Sequence, residues 1–212
     1  MGARATGDLK ATLLEHGIAL AREGGPDAVS LRDVQRRAGV SNTAAYRHYA
    51  DRDALLVAIS AYASAQMAAT MERLLADADA TELGRTQAAR RRRARARFRA
   101  TGAAYLDFAR TEPGLFTVAM HPGVQLDKLH PPVDARGAGG LGPYQLLVAC
   151  VDELVEAGVL SPERRPFTDV AAWSAVHGLA VLILDGPLGA LGEVDRRAAT
   201  DRLLDLIDGG LD

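Results

Sequence analysis

The chain has one cysteine, Cys150, in 212 residues. A lone cysteine excludes an internal disulfide and a CxxC metal site, and it fits a reducing cytoplasm. Lysine is almost missing: Lys10 and Lys128 are the two present, so arginine carries nearly all the positive charge. Excess charge is missing as well. The formal net charge is −2, so the chain is no polycation, and any nucleic-acid affinity must come from local charge. Long apolar runs are scarce. The longest, Ala175 to Leu184, contains His177 and is too short to span a bilayer, so no membrane partner is expected. The first apolar segment, Leu9 to Leu20, is broken by Lys10, Glu15 and His16, which excludes it as a secretory signal.

Catalytic signatures are absent too. There is no GxSxG, no HExxH and no phosphate-cradling glycine loop. His121, Asp127 and His130 sit in a Pro- and Gly-rich stretch without recognised ligand spacing. We therefore expect no catalytic residues, no metal site, no cofactor and no enzyme. Alternating strand patterns and internal repeats are lacking as well, which leaves an all-α fold. Apolar content of 48% with 25% charged residues is that of a globular chain with ample core.

What is present is helical punctuation. Helices are expected over residues 8–23, 31–38, 42–49, 52–78, 86–110, 115–120, 143–157, 168–184 and 194–208, about nine in all. Residues 1–7 read as a frayed arm and residues 121–141 as a long loop. Ser30, Ser41 and Asp51 each precede a helical run, where a side-chain oxygen caps free backbone N–H groups. Ser30 with Asp33 makes a weak capping box. Leu31, Val34 and Ala38 share one face, and Gly39 ends the helix. Helix, tight glycine turn, helix is the arrangement that lays a second helix in a DNA major groove. Between Ser30 and Leu55, Arg32, Arg36, Arg37, Arg47 and Arg52 outweigh Asp33, Asp51 and Asp53, a local charge of +2.

Gly39-Val40-Ser41, Tyr46-Arg47-His48-Tyr49 and Asp51-Arg52-Asp53-Ala54-Leu55 resemble the DNA-binding signature of the TetR family of transcriptional regulators. The preceding run from Asp27 to Val34, with Arg37 and Ala38, is similar as well. Two positions depart from it: Ala45 where a larger aliphatic is usual, and Ala50 where proline is common. The stretch from Trp173 to Leu179, with His177 and Gly178, resembles the WHG-type C-terminal domain of some members.

The resemblance implies an N-terminal three-helix helix-turn-helix DNA-binding domain, residues 1–54, and a helical-bundle effector-binding and dimerisation domain, residues 55–212. It implies Ser30, Arg32, Asn42, Thr43, Tyr46, Arg47, His48 and Arg52 as DNA contacts on double-stranded operator DNA. Arginine suits guanine and asparagine suits adenine. Ser30, Tyr46, Arg47, His48 and Arg52 would hold phosphates. The effector cavity of such proteins would here draw on Phe98, Tyr105, Phe108, Phe116, Met120, Tyr144, Trp173 and His177, a lining for a lipophilic small molecule. Those residues fit a filled core equally well.

The helix 168–184 is apolar nearly all round and demands burial on every side. It and the helix 194–208 are therefore the candidate homodimer surface, with His177 expected to be buried. Seven arginines crowd Arg90 to Arg99. We read them as a solvated face, with an anionic effector or a second nucleic-acid patch as alternatives. The reading that emerges is a cytoplasmic, ligand-responsive homodimeric repressor released from a palindromic operator. The other open reading is a small-molecule-binding helical protein that no longer reads DNA.

Overall fold

The computed structural model describes residues 2–124 and 126–211, with side chains from residue 9 onward. The described residues are helical with no strand. Nine α-helices run α1 (Gly2–Gly24), α2 (Leu31–Ala38), α3 (Asn42–Tyr46), α4 (Arg52–Thr81), α5 (Gln87–Thr111), α6 (Pro113–Ala119), α7 (Pro143–Glu156), α8 (Thr168–Leu184) and α9 (Glu193–Gly209). Helices α2 and α8 have the expected bounds and the others shift at one or both ends; two shifts bear on the reading. The backbone of α1 is already helical at Gly2, where a frayed arm was expected; the side chains of residues 2–8, Arg4 among them, lie outside the described residues. The third helix stops at Tyr46, not Tyr49, because His48 and Tyr49 both donate their N–H to the Ala45 carbonyl and tighten the last turn.

The chain forms two compact units, neither continuous in sequence. The first holds residues 1–65 and 112–136, and the second holds 66–111 and 137–212. The division falls inside α4 rather than at residue 54, and α6 with the following loop joins the first unit.

In the first unit each end of a helix has a local cause. Gly25, at φ 66°, lets its N–H reach the Ala21 carbonyl at 2.8 Å and ends α1 before Pro26. Ser30 accepts the Asp33 N–H at 3.1 Å and caps α2. Gly39, at φ 66° and ψ 29°, takes the left-handed conformation that closes α2. Its N–H goes to Arg36 and that of Val40 to Gln35, the paired bonds of a Schellman turn. Ser41 caps α3 through the Ala44 N–H, and Asp51 caps α4 through the Ala54 N–H at 2.7 Å. The core below these caps is Leu13, Val34, Ala45, Leu55, Ile59 and Leu115, all fully buried. Ala45 fills its place despite its small size.

Helix α6 packs on α1. A Cβ at Gly114 would stand 2.0 Å from the Ala21 carbonyl oxygen, so only glycine allows this approach. Arg22 binds Glu112 through two hydrogen bonds at 2.8 and 2.9 Å and locks the same junction.

In the second unit α5 is the hub, packing against α7, α8 and α9. Phe98, Ala104, Tyr105, Phe108 and Ala109 are its buried face. A Cβ at Gly102 would meet Leu204 at 2.7 Å and Val176 at 3.4 Å, so this glycine brings α9 and α8 close. The Glu72 carboxylate of α4 receives the N–H groups of Ala138 and Gly139 and anchors the loop that leads into α7. Helix α4 is long and apolar enough to cross a membrane by length and composition, but 56% of its apolar window is buried inside the protein, as in a core helix.

Candidate DNA-reading face and effector-binding unit

The capped turn at Gly39 presents α3 with its inner side down and its outer side bare. Ala45 and Tyr49 point into the core, 0% and 3% exposed. Asn42, Thr43, Tyr46 and Arg47 are exposed, and none makes a side-chain hydrogen bond or ion pair among the described residues. Arg32, on the first turn of α2, is exposed and unpaired in the same sense. These five side chains are exposed and uncommitted.

The other expected DNA contacts are differently placed. The Ser30 hydroxyl is engaged at both ends: it accepts the Asp33 N–H and donates to the Asp33 carboxylate at 2.7 Å. That bond, with Arg36 beside it, holds the Asp33 carboxyl below its ordinary range. His48 is half-buried on the turn after α3. Arg52 points back into its own unit. Its Nε donates to the Val29 carbonyl at 2.9 Å and its Nη2 to the Pro26 carbonyl at 2.6 Å, so it ties the α1–α2 junction to the start of α4. Arg36 pairs with Asp33, and Arg37 grips Glu23 through two bonds. Of the five arginines in this stretch, Arg32 and Arg47 are the two with no side-chain hydrogen bond or ion pair among the described residues.

The expected effector residues divide between the units. Phe116 and Met120 belong to the first, and the remaining six to the second. Phe98, Tyr105, Phe108 and Phe116 are 2–4% exposed, packed as core. Tyr144, Trp173, His177 and Met120 are half-buried.

His177 is thus not fully buried as expected. Its Nδ1 shares a 2.8 Å hydrogen bond with the Tyr105 hydroxyl, which also accepts the Trp173 Nε1–H at 3.3 Å. Burial raises the Tyr105 phenol above its ordinary pKa. Trp173 stacks at a tilt against Tyr144, with centroids 5.5 Å apart. Tyr144 donates a short bond to Asp169. Asp169 also receives Arg165 Nη1 at 2.9 Å, and Arg165 Nε reaches Asp152 at 2.6 Å.

Two hydrogen-bonded groups, one between α5 and α8 and one between α8 and α7, thus meet at the Trp173–Tyr144 ring contact. Asp169 and Arg165 were missed in the sequence. Their one local signal is the i, i+4 spacing of an ion pair.

Burial pushes the Asp169 carboxyl up, but the bonds from Tyr144, its own backbone and Arg165 outweigh it and leave it below the ordinary carboxylate value. The same bond pushes the Tyr144 phenol up to about 12. A carboxyl lowered on folding stabilises the protein fully above its unfolded pKa, about 3.9, and that contribution is lost as pH falls through the folded value. Asp169→Asn is expected to cost about 2 kcal/mol at pH 7 and to flatten the fall of stability below about pH 4. Urea unfolding at a series of pH values measures both; equal acid sensitivity in the two proteins would contradict it.

The arginines of α5 are not a plain solvated face. Arg91 donates to the Gly158 carbonyl, Arg92 pairs with Glu82, Arg95 with Asp208, and Arg99 with Asp205. Arg97 holds Glu153 through two bonds and Asp79 through a third. They fasten α5 to the elements around it. Among the described residues no group of three or more His, Cys, Asp or Glu could hold a metal ion.

Around α8 one side of the chain is uncovered. Asp169, Ala172, Val176 and Ala180 are buried, whereas Val170, Val181 and Leu182 are 39–43% exposed. Gly178 stands on the same helix. No atom lies within 4 Å of where its Cβ would stand, because Gly178 does not share the stripe that α5 and α9 cover.

The comparisons with known proteins agree with this architecture. Residues 13–59 match the model of "Bacterial regulatory proteins, tetR family", and residues 98–207 match "Tetracyclin repressor-like, C-terminal domain". The second match contains Trp173, His177 and Gly178. None of the curated proteins matches the chain. Among solved structures, a protein of unknown function from Rhodococcus sp. RHA1 is similar at 27% identity and a TM-score of 0.68, covering 96% of this chain and 95% of that one. A TetR-family transcriptional regulator from Pectobacterium atrosepticum shares the fold at 20% identity and a TM-score of 0.60, over 100% and 97% of the two chains. A minocycline-bound TetR variant from Acinetobacter baumannii AYE shares it at 20% identity and 0.50, over 94% of each. Two family models covering both halves of the chain, over a helix-turn-helix with a bare recognition face, decide its membership: the chain belongs to the TetR family and is a DNA-binding transcriptional regulator, not an enzyme.

Proposed function

We propose that the protein is a cytoplasmic, homodimeric repressor that reads a near-palindromic operator and is released by a small lipophilic effector. The observation that carries the reading is the capped α2–Gly39–α3 turn, which buries Ala45 and Tyr49 and leaves Asn42, Thr43, Tyr46 and Arg47 bare. Asn42 and Thr43, in the first turn of α3, and Arg32 are the base readers in this reading. Tyr46 and Arg47 hold phosphates. Ser30, His48 and Arg52 support the geometry from within the unit.

Two copies pair through α8 and α9. Val170, Val181 and Leu182 on α8 and Leu206 on α9 supply the apolar surface, and Gly178 provides the low point at which a partner's helix can approach. An effector that inserts beside Tyr144, Trp173 and His177 would bind one arrangement of the dimer better than the other and shift the population away from DNA. The A. baumannii relative bound to minocycline supports a lipophilic, ring-bearing ligand of this kind.

Duplexes selected from a random pool are the test. Each neutralised phosphate contributes about −0.9 to the slope of log affinity against log salt. Arg47→Ala is expected to weaken binding to all sequences and to make that slope shallower by about 2 per dimer. Arg32→Ala is expected to cost about 1–3 kcal/mol at one base pair of each half-site and to relax preference there. A selection that enriches no sequence would favour a ligand-binding protein that does not read DNA.

A further inference from the structure

Two arginines of the α5 run are left over from its fastening role. Arg90 and Arg93 make no side-chain hydrogen bond or ion pair among the described residues, and both line an open groove of about 540 Å³. The groove is built from the second unit alone: the start of α5, the C-terminal end of α7 and the last turns of α4. Its other charged walls are Arg97, Asp79, Glu153 and Glu156. Arg97 donates to two of these carboxylates, through Nε and Nη2 to Glu153 and through Nη1 to Asp79, and its single charge offsets one of the three. Arg90 and Arg93 stand at i, i+3, where side chains are neighbours on one helix face and like charges repel. The fold therefore leaves two adjacent guanidinium forks without a bonded partner among the described residues, on the wall of a groove where three arginines face three carboxylates, while the run's other arginines are tied to carbonyls or carboxylates.

We infer that Arg90 and Arg93 form a binding site for the oxyanion head of a small molecule, a phosphate ester or a carboxylate, whose polar body lies along the groove towards Glu156. Planar guanidinium forks match phosphate and carboxylate oxygens in pairs. The groove has the size of an ordinary small-molecule site and exceeds what a bare oxyanion fills, so the ligand carries a body. Its walls are charged, which suits a polar ligand and not the lipophilic effector proposed beside Trp173. The site is independent of DNA reading.

The test uses the full-length protein with inorganic phosphate and, separately, succinate, each against sodium chloride at equal ionic strength. Thermal unfolding and titration calorimetry are the readouts. Phosphate or succinate is expected to raise the melting temperature saturably, with half-effect at millimolar concentration. Arg90→Gln/Arg93→Gln is expected to weaken that affinity at least tenfold without lowering the melting temperature in the absence of anion, since neither residue has a bonded partner to lose and their mutual repulsion is relieved. Arg36→Gln, in the first unit, is expected to keep the full response. If the double variant unfolds, Arg90→Gln alone, at an exposed position, gives the same comparison. A stronger phosphate response assigns a phosphate ester, and a stronger succinate response a carboxylate. No saturable response to either anion, an equal response to chloride, or an unchanged response in the variants would overturn the site.

Discussion

Leu182→Asp is expected to turn the protein into a monomer in solution and to weaken its operator binding by roughly 100-fold or more. Leu182 is 43% exposed on a helix whose mean composition is that of a buried one. With Val170 and Val181 it makes the side of α8 that the chain itself does not cover. A carboxylate there would have to be desolvated on pairing, which costs several kcal/mol per ion. The effect on DNA follows from the small charge of the reading face. Only Arg32 and Arg47 remain uncommitted among its arginines, so one copy grips few phosphates. Affinity then depends on linking two copies, a gain of roughly 10²–10⁴ without new contacts. Sedimentation equilibrium and titration of a selected duplex measure the two effects. A Leu182→Asp protein that stays dimeric would move the dimer surface away from α8.

The second large effect is expected at Gly114. Gly114→Ala should cost about 2–3 kcal/mol and lower the melting temperature by about 5–10 °C. The added methyl would meet the Ala21 oxygen at 2.0 Å, its carbonyl carbon at 3.0 Å and Arg22 Cα at 3.1 Å. All three are backbone atoms, so no side-chain rotation relieves the clash. Helix α6 must lift from α1 and strain the Arg22–Glu112 pair. Gly178→Ala, compared with Gly114→Ala in the monomeric Leu182→Asp background, is the control, because nothing within the chain stands within 4 Å of that position. Its helical setting makes alanine neutral or slightly stabilising. If the two substitutions prove equally mild, the close α1–α6 packing is wrong.

The parts of this structure legible in sequence are those decided within one turn of chain. Ser30, Ser41 and Asp51 cap the helices they precede, Gly39 takes the left-handed conformation a helix stop needs, and the spans of α2 and α8 come out as read. What was not legible depends on partners distant in sequence. Arg97 looks like one more member of a repelling run until Glu153 and Asp79 are brought to it. Tyr105 meets His177 across 72 positions, and Asp169 gains its role only when α7 delivers Tyr144. Arg52 illustrates a different limit: a family pattern assigns a role by position, but the carbonyls of Pro26 and Val29 decide where that guanidinium points.

The docking of α6 on α1 bears on the order in which the protein is made. The first unit begins at the N-terminus but lacks a piece of its core, Leu115 and Val118, until residues 112–136 have been synthesised. Translation at ~5–20 residues per second delays that piece by about 4–14 s after residue 65 has left the ribosome. Throughout that interval α1 to α3 carry an unfilled face, and α5 must emerge before the face can close. A nascent chain therefore cannot close the first unit until the whole of α5, which belongs to the other unit, has been made.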